Sequence, residues 1–297
     1  MELWLLYATL AAIFAALTTV LAKIGITNVD SHLATAIRTV VVLIFAWIMV
    51  FVVGSHYGIR YIQGRTWVFL LLSGLCTGGS WLCFFRALKL GSVNKVVPID
   101  KSSTILTMTL AFIFLREPAG WITIFGMVLM GIGTWLMLEL KKGGKGEKEG
   151  ADKKQTRNSW LFFAVLAAVF ASLVAIFGRI GVADIEANLW TAIRTMVVVP
   201  LSWIMVFMVG RQREIKTVSK KSWLFLILSG IATGSSWLFF YHALQIGNAS
   251  NVVPIDKLSI VLTMCFARLF LAERFSKQSI AGLGLLTIGT LLPVFLR

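Results

Sequence analysis

Thr35-Ala-Ile-Arg-Thr39 returns as Thr191-Ala-Ile-Arg-Thr195, and Val96-Val-Pro-Ile-Asp-Lys101 returns as Val252-Val-Pro-Ile-Asp-Lys257, at one offset of 156 residues (191 less 35). Between these strings, Ser73-Gly74, Thr77-Gly78 and Ser80-Trp81-Leu82 recur as Ser229-Gly230, Thr233-Gly234 and Ser236-Trp237-Leu238, with no insertion or deletion. Such self-similarity at a fixed spacing is the mark of a tandem duplication, and it fixes how the rest of the chain is divided.

Composition identifies the solvent. The 297 residues are 58% hydrophobic and 14% charged, and the mean hydropathy is +0.86. The apolar runs reach the ~20 residues needed to cross a bilayer core. The chain therefore reads as an all-α polytopic membrane protein. Its net charge of +15 sits in short loops between apolar spans, where a bias of Lys and Arg toward the cytoplasm accounts for it without nucleic acid. Cys76, Cys83 and Cys265 fall inside spans and lack Cys-x-x-Cys or His spacing, so neither a disulfide framework nor a metal site is expected.

Five spans are predicted in each half: about 3–22, 33–53, 67–88, 96–115 and 121–140, then about 160–178, 189–209, 223–244, 252–271 and 280–296. Residues 1–140 form the first repeat and 159–297 the second. The Gly/Lys/Glu-rich stretch 141–158 reads as a solvated linker. The copy of the first span at Trp160 cannot be a cleaved leader, so the first span is taken as a mature helix.

Five is odd, so a linker confined to one membrane face turns the second half upside down. Equivalent loops have diverged in charge as that requires. The second-to-third connection holds Arg60 and Arg65 in the first half but Arg211, Arg213, Lys216, Lys220 and Lys221 in the second; the third-to-fourth holds Lys89 and Lys95 against Gln245 and Asn251. The expectation is ten transmembrane helices in a 5+5 inverted repeat in the cell membrane, with the linker cytoplasmic and both termini outside.

Ionisable residues inside spans are costly and tend to mark pathways or paired sites. Arg38 and Arg194 lie in the second and seventh spans, where snorkelling to the headgroups competes with a bundle-facing role. Asp100-Lys101 and Asp256-Lys257 follow a proline at the start of the fourth and ninth spans. Adjacent helical residues point ~100° apart, so each charge needs a partner elsewhere; Asp100 with Arg38, and Asp256 with Arg194, are the expected pairs. The alternative is that each aspartate caps a helix start. Trp81 and Trp237 sit near mid-span and read as cavity walls or core. Thr77, Ser80, Thr233 and Ser236 are secondary candidates on a stripe of small residues that also suits close helix packing. Glu117 and Glu273 read as structural residues at the membrane surface, and Arg86 and Arg268 have no charged copy.

The five-span halves, the Val-Pro-Ile-Asp-Lys string and the Phe-Leu-x-Glu strings ending at Glu117 and Glu273 resemble the EamA-type drug/metabolite transporters over both halves. The resemblance implies a ten-helix inverted-repeat secondary carrier for amino acids or other small metabolites, often an exporter. Each half is also similar to stand-alone five-helix members that pair antiparallel, so the chain has the form of a recent, ancestral-like or engineered fusion of such a unit. It departs from the family in the outside termini that its charges imply. It departs from the four-helix multidrug relatives in lacking an acid in either first span, which disfavours proton-coupled export of lipophilic cations.

The expected function is alternating-access transport of amino acids or organic anions. Arg38, Asp100 and Lys101 would close one gate and Arg194, Asp256 and Lys257 the other, with Trp81 and Trp237 on the substrate's apolar body. A small-molecule substrate and membrane lipids are the expected partners, no cofactor is implied, and the fused pseudo-dimer reads as a monomer. A lipid or headgroup flippase and a non-transporting fused scaffold are the alternatives. No nucleophile–base pair or nucleotide loop points to an enzyme.

Overall fold

Helix ends are encoded at equivalent places in the two halves. Asp30 accepts backbone N–H bonds from His32 (2.9 Å) and Leu33 (3.4 Å). Glu186, its copy, accepts from Asn188 and Leu189 at 3.0 Å, so a carboxylate caps the second span of each half. Gly54 (φ 76°) and Gly210 (φ 73°) then end these helices in the left-handed conformation that glycine adopts without strain.

The computed structural model describes residues 3–114, 120–137, 151–181, 185–246, 258–273 and 275–295. The first half holds α1 (Leu3–Gly25), α2 (Ser31–Val53), α3 (Gly64–Leu90), α4 (Val93–Lys101), α5 (Ser103–Phe114) and α6 (Trp121–Met137). The second holds α7 (Ala151–Gly181), α8 (Ala187–Met208), α9 (Lys220–Ile246), α10 (Ser259–Leu271) and α11 (Lys277–Phe295). Among the described residues, seven helical spans are long and apolar enough to cross a membrane, and there is no strand. Two differences from the sequence reading stand out. α7 begins at Ala151, inside the stretch read as linker, because Ala, Lys, Gln and Arg there are good helix formers. The fourth span is broken at Ser102 into α4 and α5, and Leu258, the copy of Ser102, lies just before α10.

The most extensive helix contacts run between the halves: α1 with α9, α3 with α7, α6 with α11 and α2 with α8. Contacts come in exchanged pairs, as a twofold axis demands. Ser236 Oγ donates to the Ala11 carbonyl at 2.9 Å, and Ser80 Oγ to the Ala167 carbonyl at 3.0 Å. A Cβ on Gly74 would meet Val197, and one on Gly230 would meet Val41. Where α6 crosses its own copy α11, Gly133 lies against Gly282 and Gly126 against Gly289. Moving up one helix thus means moving down the other, so repeat-equivalent helices are antiparallel. The axis lies in the membrane plane, and the fold is an inverted repeat.

Small residues permit this closeness. α1 buries Ala8, Ala11, Ala12 and Ala16, while large apolar side chains such as Phe51, Val128, Leu224 and Leu269 face outward. That inversion suits a bundle whose outer solvent is lipid.

Candidate functional site

Arg38 is the largest of the fully buried side chains, 1% exposed. Gly230 explains its neighbours: with no Cβ, α9 lies close enough to α2 that a methyl there would sit 2.7 Å from Val41 Cβ and 3.3 Å from the Arg38 carbonyl. Ser229 and Thr233, flanking that glycine on α9, are thereby brought to the guanidinium. Arg38 Nε donates to Ser229 Oγ at 2.9 Å and Nη2 to Thr233 Oγ1 at 3.0 Å. Ser229 sends its own proton to the Thr18 carbonyl (2.7 Å) and Thr233 to the Ser229 carbonyl (2.9 Å), so both hydroxyls offer lone pairs to the arginine. The guanidinium carbon lies 4.1 Å from the centre of the Phe85 ring, a cation–π contact of roughly 0.5–2 kcal/mol. Nη1 is buried and makes no hydrogen bond among the described residues.

This environment differs from the expected ion pair. The hydrogen bonds of Arg38 go to neutral hydroxyls and not to Asp100, because α9 packs directly on α2. Neutral oxygens accept the guanidinium's hydrogen bonds without offsetting its charge, so an anion reaching the site would be attracted to it.

Arg38 lines a cavity of about 290 Å³ at the centre of the bundle, together with Asp100 and Lys101 at the end of α4. Trp81 and Trp237 form its floor: these repeat equivalents meet with ring centres 6.1 Å apart and planes 31° to each other, so the pseudo-twofold passes between them. Ser80, Thr233 and Ser236 also line it. Thr77 does not; its hydroxyl bonds back to the Ser73 carbonyl at 2.7 Å. Arg194 is half-buried and outside the lining, and Asp256, Lys257 and Glu117 fall outside the described residues.

Thr18, Thr19 and Phe85 complete the wall, and sequence reading did not single them out. Their signal was present as an asymmetry: Thr18 and Thr19 are the hydroxyl-bearing copies of Val174 and Ala175. Glu273 has a definite task as well. Its Oε1 accepts the Val93 backbone N–H at 2.8 Å, so a carboxylate just past the end of α10 caps α4 of the other half. Lys23 Nζ donates to the Leu88 and Gly91 carbonyls at the end of α3, and Lys89 Nζ donates to the Val29 carbonyl. These lysines serve helix ends as well as the charge bias. Among the described residues, no cluster of His, Cys, Asp or Glu is placed to hold a metal.

Similarity to known proteins follows the same division. An uncharacterized transporter in the cobO 3' region of Sinorhizobium sp. is 42% identical over 134 residues, which is 45% of this chain and 95% of the relative. That relative is about one repeat long. The uncharacterized transporter YxxF of Bacillus subtilis is 20% identical over 223 residues, covering 73% of this chain and 67% of its own. A solved crystal structure aligns with a TM-score of 0.67 at 17% identity and covers 96% of both chains, which is a likeness of fold. Residues 2–139 and 158–295 each match the EamA-like transporter family. This multi-pass membrane protein, with a buried arginine in a central cavity between two inverted halves, belongs to the EamA-like transporter family.

Proposed function

We propose that the protein is a secondary carrier that exports small carboxylate-bearing metabolites, amino acids or organic anions, by alternating access. The observation that carries the reading is Arg38: fully buried, held by neutral hydroxyls beside a central cavity, and with Nη1 without a hydrogen bond among the described residues. A carboxylate on Nη1 would gain a charge-assisted hydrogen bond of about 1.5–3 kcal/mol. The lining holds two cations, Arg38 and Lys101, against the carboxylate of Asp100, which favours anions and zwitterions over bare cations. At about 290 Å³ the cavity is close to the ~300 Å³ lower end of small-molecule sites, which suits a solute of amino-acid size.

Alternating access rests on the symmetry. A site at the axis of an inverted repeat can be reached from either face if the two halves exchange conformations. The break at Ser102 places Asp100 and Lys101 at a half-helix end beside the cavity. Arg38, Asp100 and Lys101 form the gate on the linker side, which the charge bias assigns to the cytoplasm. Arg194, Asp256 and Lys257 form the other, and the fused chain works as a monomer.

The test is counterflow of labelled amino acids and organic acids into proteoliposomes of the purified protein. Saturable exchange competed by carboxylate-bearing compounds is the expected result. Exchange confined to cations overturns the substrate class; absence of exchange overturns the carrier.

A further inference from the structure

A second cavity, of about 390 Å³, lies away from the axis between α3, α7 and α8. Its α3 wall is Leu75, Gly79, Leu82 and Cys83, and the aromatic rings of Phe163 and Phe170 face them from α7. Leu201 and Met205 of α8 complete an almost wholly apolar surface, and Leu75 is 49% exposed on the outside of the bundle. Water does not fill an apolar space of this kind. The surrounding phase is acyl chain.

The other half shows that this crevice is not a by-product of the fold. At the equivalent place Gly79 is replaced by Ser235, Cys83 by Phe239 and Leu201 by Phe45. Phe239 fills the space, with its ring centre 5.5 Å from that of Phe14 and 6.0 Å from that of Tyr7. Asn188, Leu238, Phe45 and Met49, copies of residues lining the crevice, border a space of only about 10 Å³, which turns inward to Thr191, Gly234 and Trp237 and reaches no residue of α1.

The charge above it differs in step. Along α3 the crevice stripe 75, 79, 82 and 83 continues at helical spacing to Arg86, at the membrane-surface end of the helix. His32 closes the crevice there, and its Nδ1 is buried without a hydrogen bond. Arg86 lies 3.9 Å from Asp30, a loose pairing, and its side chain is 34% exposed. Lys89, Arg211 and Glu214 belong to the same electrostatic neighbourhood. Arg86, Lys89 and Arg211 against Asp30 and Glu214 leave one net positive charge. In the copy, Arg86 becomes His242, Lys89 becomes Gln245 and His32 becomes Asn188. Among the described residues, apolar space and basic cap occur together at the α3–α7 contact, and neither occurs at its copy, the α9–α1 contact.

We infer that this crevice binds one anionic phospholipid from the leaflet on the linker side, with its phosphate at Arg86 and an acyl chain along Gly79 and Cys83. The lipid would wedge the α3–α7 contact and leave its copy, the α9–α1 contact, untouched.

The test is independent of transport. In full-length protein carrying Cys76→Ala and Cys265→Ala, maleimide alkylation of Cys83 is timed in detergent with added phosphatidylglycerol or phosphatidylcholine of matched chains. Phosphatidylglycerol is expected to slow alkylation about fivefold more than phosphatidylcholine, as one basic residue near a lipid surface warrants, and Arg86→Gln to erase that difference. Native mass spectrometry of the otherwise wild-type protein should show bound phosphatidylglycerol lost on Cys83→Phe. Leu201→Phe, the residue of the other half, serves if the first variant is not monodisperse. Equal protection by both lipids, no protection by either, or unchanged phosphatidylglycerol in the filled variants overturns the proposal.

Discussion

Arg38 on α2 is 1% exposed, bonded to Ser229 and Thr233, and set over Phe85; Arg194 on α8 stands in the same Thr-Ala-Ile-Arg-Thr string, is half-buried and lies outside the central cavity. The backbone around both is alike: Gly230 packs at the Arg38 carbonyl and Gly74 at that of Arg194. What differs is the side-chain company. Where Thr18 and Thr19 face Arg38, the second half has Val174 and Ala175. The duplication therefore sets where an arginine can sit, while the side chains around it have diverged. Inverted halves need not carry equal shares of binding in order to carry equal shares of the motion.

The coarsest way to break the comparison is to ask whether equivalent loops face opposite sides. Arg60 and Lys216 are equivalent, exposed, and each in the short turn after the second span of its half. In a background with all three native cysteines replaced by alanine, Arg60→Cys should react with an impermeant maleimide on intact cells. Lys216→Cys should react only after permeabilisation. This is an all-or-none outcome, and labelling of both from one side would refute opposite orientation of the halves.

Next in size is the pair of arginines itself. Arg38→Gln should lower kcat/KM for counterflow roughly 30-fold or more, the usual consequence of removing a buried charge that holds a partner. Arg194→Gln, at a side chain outside the cavity lining, should cost no more than about fivefold, the ~1 kcal/mol of a typical hydrogen bond. Equal losses would show that both arginines contact substrate in the cycle. Normal turnover by the double variant would remove the gate assigned to them.

The unequal burial of these arginines also marks what was legible beforehand. The duplication and the charge divergence between Arg60/Arg65 and Arg211 to Lys221 led to the inverted ten-span fold, because the register of a repeat and the count of spans are one-dimensional facts. Trp81, Asp100, Lys101 and Arg38, which line one cavity, stood out in the sequence because charge and large rings inside hydrocarbon need a reason. The partner of Arg38 was not found. Ser229 and Thr233 reach it only through the close approach at Gly230, and an interhelical distance has no local signature. The break at Ser102 was also missed: Pro98 lies inside α4, and the helix continues through it to Lys101.

A third test concerns a place where the halves should behave alike. Gly133 and Gly289 are equivalent positions at the α6–α11 crossing; an added Cβ would come within 2.5 Å of the Leu286 nitrogen at the first and 2.6 Å of the Gly126 carbonyl oxygen at the second. Gly133→Ala and Gly289→Ala should each destabilise the detergent-solubilised protein by about 1–3 kcal/mol through overpacking. Gly131, two residues away with nothing within 4 Å of its would-be Cβ, should accept alanine with a gain of about 0.4–1 kcal/mol. Thermal unfolding of the three variants reads this directly. A clear difference between Gly133→Ala and Gly289→Ala would mean that the axis does not pass through this crossing.

The smallest expected effect is the sharpest on the origin of the asymmetry. Thr18 Oγ1 lies 3.0 Å from the Phe14 carbonyl and 3.3 Å from Thr233 Oγ1, the acceptor for Arg38 Nη2, so its one proton can go to either oxygen. Thr18→Val gives this position the residue of the other half, removing one polar neighbour while nearly preserving volume. If the threonine helps hold Thr233 toward Arg38, KM for a carboxylate substrate should rise about two- to tenfold, the worth of a typical hydrogen bond, with kcat little changed. Val174→Thr should alter neither constant, because Arg194, the copy of Arg38, does not line the cavity. Equal responses in counterflow would place the cause of the asymmetry elsewhere, at Phe85, whose copy is Tyr241, and make the ring beneath the guanidinium the residue that separates the two arginines.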